Sequence, residues 1–338
     1  MTTYKGIKGF SVKFVSANPP VAQEGEVFYN STAEKLRVFA PQAGTSSWAS
    51  GPALATGVSN SRSTGSAAGG FIFGGFTSAQ PNGSNQSQTW NGSSWANSPT
   101  MPYQAGGLFG NNDTGGASSS LAAGGRNGPG SNEGLTTTAS WNGSAWSSEA
   151  TMPDGRRYGF SAGTGENVIA SGGLTSSPTT GFPGASNTYN GTSWSSAPAL
   201  NTNRSNGGSG GTFPSGIAFA GCAPPYCAGS NVTETWNGSS WSTSPGTFPS
   251  TSANITTFAG GGMPTGVYVG PTSAFNWSGS AWSSGTAKSG TDTDGGVGGT
   301  PTSMFYAGGN TPSTSYLTAV ELFTTTSPSI VAKDISLD

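Results

Sequence analysis

Trp90-Asn91-Gly92-Ser93-Ser94-Trp95 recurs along the chain as Trp141-Asn-Gly-Ser-Ala-Trp146, Tyr189-Asn-Gly-Thr-Ser-Trp194, Trp236-Asn-Gly-Ser-Ser-Trp241 and Trp277-Ser-Gly-Ser-Ala-Trp282. The second Trp advances by 51, 48, 47 and 41 residues, and Trp48 lies 47 residues before Trp95 in the same phase. All ten tryptophans belong to this register. Asn-Gly is a strong hairpin signal, because both residues tolerate positive φ. A two-residue loop pairs Trp90 with Ser93, and a four-residue loop pairs Trp90 with Trp95. Either register puts both rings on one sheet face.

Outward from the hexapeptide, each unit carries an apolar segment ending in small residues: FIFGG to Gly75, LAAGG to Gly125, VIASGG to Gly173, IAFAGC to Cys222, VYVGP to Pro271 and FYAGG to Gly309. Pro- and Thr-rich, then Gly/Ser-rich, passages lead from each Trp to the next such segment. A unit therefore reads as four short strands: a glycine-rich one, the apolar one, one with the first aromatic and one with the second Trp. Repeats of about 40–50 residues holding four strands are the mark of propeller blades. Gly207–Gly211 and Gly295–Gly299 read as inner strands, where glycine lets backbones approach closely. The last unit ends on Phe323 with no Trp after it, so Trp48 is the residue that would complete it from the other terminus.

Composition alone points elsewhere. Leu, Ile, Val and Phe make up 47 of 338 residues, about 14%, and charged residues 8%. Those proportions belong to disordered chains, which lack this aromatic content. Here the rings take over the packing usually done by Leu and Ile. Twelve basic residues on a net charge of −2 argue against nucleic acid as partner. No run of about 18 apolar residues exists, so no membrane insertion is expected. MTTYKGIKGFSVKFV lacks the continuous apolar stretch of a signal peptide. The absence of His removes Ser-His-Asp and Cys-His catalysis and His-based metal sites. No cofactor and no metal is expected.

Residues 1–37 hold eight of the 26 charged residues, a composition step that marks a boundary. Gly25 to Ala40 alternates like a hairpin with NSTAEK as its turn. The expected domains are 1–40, an attachment segment with this hairpin; 41–326, the propeller; and 327–338, a C-terminal tail.

A diglycine ending one strand, aromatics on the next two, and Met152-Pro153-Asp-Gly-Arg156 or Leu200-Asn-Thr-Asn-Arg204 before the next unit together resemble the kelch repeat, over roughly residues 59–323. The resemblance implies an all-β fold, a six-bladed kelch-like β-propeller in which the N-terminal extension and hairpin help close the ring. Cys222 and Pro271 depart from it at the second glycine. GEVFYNSTAEKLRVFA resembles the hairpins of bacteriophage tail and fibre proteins. With the repeat, it is similar to virion-associated propeller proteins of marine tailed phages, of the cyanophage kind. That likeness implies a non-enzymatic virion structural protein, assembled in the host cytoplasm and released by lysis. In this reading it is a tail-fibre or appendage subunit, homo-oligomeric in the particle. It would dock on other virion proteins through residues 1–40 and present the propeller for host recognition, to a cell-surface glycan or protein. The alternatives are a decoration or assembly protein of the virion and, last, a carbohydrate-active enzyme. The sialidase Asp box and the His of a galactose-oxidase copper site are both absent.

Loops joining second and third strands differ in every unit, whereas the Asn-Gly turns on the opposite face barely change. Variable loops on a repeated framework are where recognition is placed. The candidate surface comprises Phe76, Asn82, Asn127, Phe182, Tyr226 and Tyr316. Arg156, Arg157 and Arg204 beside Tyr158 suit acidic sugars, but their place near the inter-blade turn favours a structural role. Cys222-Ala-Pro-Pro-Tyr-Cys227 reads as a loop disulfide or two inert thiols ahead of a metal or redox pair, and Asp292-Thr-Asp294 as a turn ahead of a calcium site.

Overall fold

The computed structural model describes residues 12–335, apart from 22, 43, 111–117, 129–132, 176–180, 182, 226, 252–257, 260–265, 327 and 328. The chain divides into two units, one of Ser47–Thr324 and one formed from both termini. Among the described residues there is no α-helix, and the larger unit holds six four-stranded sheets. This is an all-β architecture of the β-propeller type.

The first sheet runs Arg62–Ser66, Gly69–Phe73, Ser87–Trp90 and Trp95–Ser98; the second Phe109–Gly110, Ser120–Ala123, Thr138–Trp141 and Trp146–Ser148. The third runs Phe160–Thr164, Asn167–Ser171, Ser186–Tyr189 and Trp194–Ala197; the fourth Gly208–Thr212, Ser215–Phe219, Thr233–Trp236 and Trp241–Thr243. The fifth runs Phe258–Ala259, Gly266–Val269, Ala274–Trp277 and Trp282–Ser284. The sixth takes Gly296–Thr300, Ser303–Ala307 and Val320–Thr325, and its fourth strand, Ser46–Gly51, comes from far upstream. The first strands adjoin those of neighbouring sheets and are therefore innermost, as the two glycine runs predict. Gly298 shows the reason: a Cβ there would lie 2.7 Å from the Phe305 ring and 2.9 Å from the Thr64 backbone.

The hexapeptide folds with the four-residue loop. Trp90 pairs with Trp95, and the same pairing holds at Trp141/Trp146, Tyr189/Trp194, Trp236/Trp241 and Trp277/Trp282. Only the glycine is left-handed, as at Gly92 (φ +91°). Asn91 works through its side chain, whose Oδ1 accepts from the backbone N–H of Ser93 and of Ser94. The first ring of each pair is buried. The second reaches back to the preceding sheet: the indole N–H of Trp146, Trp194 and Trp282 donates to the hydroxyl of Ser87, Thr138 and Thr233. These three hydroxyls open equivalent third strands. Val320 stands at that place in the sixth sheet, and the Trp95 indole N–H is buried without a partner among the described residues.

Apolar clusters fill the spaces between consecutive sheets. Phe71, Phe73, Leu108 and Trp141 join the first to the second, and Ile217, Phe219, Tyr268 and Trp277 the fourth to the fifth. Trp90, Trp95 and Ile72 of the first sheet cluster with Phe305, Ala307 and Val320 of the sixth. The diglycine is left-handed at Gly74/Gly75, Gly124/Gly125, Gly172/Gly173 and Gly308/Gly309, and in the fourth unit at Ala220/Gly221. Ala220 thus replaces the first glycine there, and Cys222 follows the motif instead of interrupting it.

The smaller unit corrects two expectations. Val27–Asn30 and Lys35–Gln42 form the predicted hairpin, but it lies in a separate sheet with Lys13–Val15 and Ser329–Asp334. The strand that completes the sixth sheet is Ser46–Gly51, not this hairpin. Within the stretch expected as a C-terminal tail, Ser329–Asp334 is a strand that pairs along Lys35–Gln42, and Asp334 bonds Lys35 and Arg37.

Candidate recognition rim

Five of the six inner strands are entered through a residue held in the left-handed region: Asn60 (φ +50°), Gly107 (+65°), Tyr158 (+53°), Asn206 (+53°) and Asp294 (+60°). Their backbones form a relay. Asn60 N–H donates to Asp294 O (2.7 Å), Gly107 to Asn60 (3.2 Å), Tyr158 to Gly107 (2.8 Å) and Asn206 to Tyr158 (2.8 Å). The corresponding passage of the fifth sheet lies outside the described residues. Just before each of these residues, the chain bridges to the residue that follows the diglycine: Ser59 to Phe76, Gly106 to Arg126, Arg157 to Leu174, Ser205 to Cys222 and Thr293 to Asn310. The variable loops therefore begin on the rim where the inner strands start.

At one point the sequence departs from the repeat in a way that builds a cluster of two rings and an arginine. Gly106-Gly107 stands where other units have Arg157-Tyr158, Ser205-Asn206 or Thr293-Asp294. A Cβ on Gly106 would sit 2.3 Å from the Phe76 ring, and one on Gly107 2.4 Å from the Tyr158 ring. The two rings thus lie against bare backbone, and Arg126 contacts both, at 4.8 Å from the Phe76 centroid and 5.7 Å from that of Tyr158. Arg126 Nε donates to the Tyr158 hydroxyl at 3.0 Å. Burial raises the Tyr158 hydroxyl above its ordinary pKa, so it stays protonated at neutral pH and keeps a proton to donate. Gly106→Val is expected to lower stability by about 1–3 kcal/mol, the range for overpacking. Thermal melting with near-UV circular dichroism checks this; an unchanged melting point and aromatic spectrum would refute the packing account.

Beside this cluster is a cavity of about 20 Å³, space for a water molecule, lined by Ser61, Arg62, Gly107, Tyr158 and Asn206 among others. Arg62 reaches from the first sheet to the backbone of the next two, donating from Nε to Leu108 O and from Nη2 to Gly159 O at 3.2 Å. Burial lowers its pKa to about 10, which leaves it charged at neutral pH. Ser61 Oγ is buried without a hydrogen-bond partner among the described residues.

Of the residues singled out from sequence, Phe76 is 6% exposed and supports Arg126 from below, so it offers no open stacking face. Asn82 and Asn127 are exposed, and the Asn82 carbonyl accepts from Gly128 N–H, tying the first loop to the second. Tyr316 is half-buried in the sixth sheet's loop, where its N–H donates to Asn310 Oδ1. Phe182 and Tyr226 lie outside the described residues. Cys222 and Cys227 form a disulfide in the fourth loop. Leu174 of the third loop packs on Cys222.

Arg156 and Arg204 are fully buried. Arg156 donates to the carbonyls of Gly172 and Ala185 and to Asn187, and Arg204 to the carbonyls of Ala220 and Val232 and to Glu234. Arg157 is 4% exposed, beside Tyr158. Asp292 is bound by Lys288 at 2.9 Å. Among the described residues no group of three His, Cys, Asp or Glu is placed to hold a metal. Arg62 and Arg126 escaped sequence reading, although aligning the repeats exposes them. Arg62 occupies the position of Phe109, Phe160, Gly208 and Gly296, and Arg126 that of Phe76, Leu174, Cys222 and Asn310.

No family model matches this chain, and no curated protein matches it. Among solved structures, one titled "Structure of YjhT" aligns over 83% of this chain and 99% of that one, with a TM-score of 0.64 at 11% identity. At that identity the likeness shows the fold alone: this chain and that protein are built alike.

Proposed function

We propose that the chain is a non-enzymatic recognition protein of a phage virion, an appendage subunit whose rim of variable loops engages a host-surface glycan. One observation carries the reading. On a framework of near-identical turns, the position after the diglycine holds Phe76, Arg126, Leu174, Cys222 and Asn310, unlike residues side by side on one rim. Rigid framework with divergent rim is the pattern of a binding surface. The six sheets are then the six blades of a closed kelch-type ring, with Ser46–Gly51 as the outer strand of the last blade. The cluster that joins Trp95 to Phe305 supports closure, which leaves a propeller without exposed edges. The terminal sheet, a unit of its own, is the piece that docks on other virion proteins in a homo-oligomeric assembly.

Full-length protein and a variant lacking residues 1–24 test this. Both are expected to label host cells, and only the full chain to enter particles during assembly. Incorporation without any cell labelling would favour a decoration or assembly role, and turnover of a glycan substrate would favour an enzyme.

A further inference from the structure

The larger unit has few cations, and their placement is uneven. Between residues 47 and 324 the sequence holds Arg62, Arg126, Arg156, Arg157, Arg204 and Lys288. Arg204 and Lys288 are paired with Glu234 and Asp292, and Arg156 is sealed among carbonyls and Asn187. The other three stand at the rim. Among the described residues Arg62 has no carboxylate partner, and its Nη1 bonds nothing. Arg126 uses only Nε, leaving both terminal nitrogens without a hydrogen-bond partner among the described residues. Its guanidinium plane is flanked by two rings, which fixes its orientation and leaves its edge to donate. Tyr158 links the two arginines, bonding Arg126 while lining the cavity that Arg62 and the orphaned Ser61 hydroxyl also line. Asp294 also lies on this rim, where its carboxylate accepts from Thr293 Oγ1 and Asn310 Nδ2, both at 3.4 Å.

Resting on the recognition reading above, we infer that this rim selects an acidic saccharide. Its anionic group is seated by Arg62 and Arg126, with the Tyr158 and Ser61 hydroxyls as further hydrogen-bond partners. Guanidinium suits that task because it is always charged, weakly hydrated and presents paired donors to a planar carboxylate. A neutral glycan could offer the guanidinium edges only hydroxyl acceptors and would leave their charge unbalanced. A carboxylate or a sulfate ester would satisfy the same donors.

Calorimetric titration of the full chain with polygalacturonate, alginate and dextran sulfate, against neutral dextran, tests the inference. Binding of an acidic polymer is expected, weakening several-fold between 50 and 200 mM salt and at least tenfold in Arg126→Gln with an unchanged melting point. Arg62→Gln is expected to act likewise. In case that variant does not fold, carboxyl-reduced polygalacturonate and alginate probe the intact protein, and a loss of at least tenfold assigns the uronate carboxylate. Binding of dextran sulfate alone assigns a sulfate ester to the same donors. Equal affinity for native and carboxyl-reduced uronate, binding untouched by Arg126→Gln, or no acidic ligand bound while the protein still labels cells would overturn the inference and leave the recognition reading standing. Failure to bind either saccharides or cells would remove both.

Discussion

Glu234→Ala is expected to destabilise the larger unit by about 3–5 kcal/mol, the usual result of stranding one member of a buried ion pair. Both side chains are fully buried, and Arg204 Nη2 meets Glu234 Oε1 at 2.8 Å. The carboxylate does more than neutralise Arg204: it also accepts from the N–H of Asn201 at 2.7 Å and of Thr202 at 3.2 Å, closing the turn that leads from the third sheet to the fourth. The guanidinium in turn binds the carbonyls of Ala220 and Val232 and rests 5.1 Å from the centroid of Phe160. Removing the carboxylate leaves a charge with no solvent and two N–H groups with no acceptor. In a unit of this size, 1 kcal/mol moves the melting point by roughly 2–4 °C, so a fall of about 10 °C is expected. Glu234→Gln keeps an acceptor oxygen and loses the charge, and should fall between the two. A melting point for Glu234→Ala within 2 °C of wild type would sink the account.

The same junction shows what the sequence does and does not disclose. Trp periodicity, Asn-Gly turns and apolar segments are local signals, and they locate nearly every strand of the six sheets. The pairing partner of Glu234 is not local. The repeat offers Gln88, Asn187, Glu234 and Glu321 at that strand position, and only folding shows that each reaches the turn entering its own sheet or a side chain in it. Loop length in the hexapeptide was open for a similar reason. Asn91 stabilises the four-residue loop through its side chain, a contact that φ preference alone does not foresee. At the diglycine, Ala220 at φ +54° occupies a position where glycine is expected, so matching letters put the departure one place too late, at Cys222. The rim was harder still. Its aromatic candidates suit sugar stacking, yet Phe76 is buried against the half-buried Arg126, a residue visible as unusual only once the bridges align the units. The C-terminal strand escaped because Ser329–Asp334 finds its partner almost 300 residues upstream.

A chain of residues 52–326 is expected to lose cooperative melting or aggregate, whereas a chain of residues 46–326 melts cooperatively. The two differ only by Ser46–Gly51, which hydrogen-bonds to Val320–Thr325 as the last strand of the sixth sheet. Trp48 lies 5.1 Å from the Phe323 ring and donates its indole N–H to Thr286 O at 2.8 Å, so one side chain ties the sixth sheet to the end of the fifth. It packs on the cluster of Val267, Val269 and Tyr306. A Trp ring covers about 150–250 Å², and Trp48 is half-buried, so at ~25 cal/mol/Å² its packing contributes about 2–3 kcal/mol. The strand's hydrogen bonds add to this, and its loss would open Val320–Thr325 as an unpaired edge with buried Val320 and Phe323 beside it. Trp48→Ala in the full chain separates the two contributions: it keeps the strand, forfeits the ring and should lower the melting point by roughly 4–12 °C. Identical melting of the 46–326 and 52–326 chains would mean that the sixth sheet stands on three strands, and the closing role given to Ser46–Gly51 would have to be abandoned.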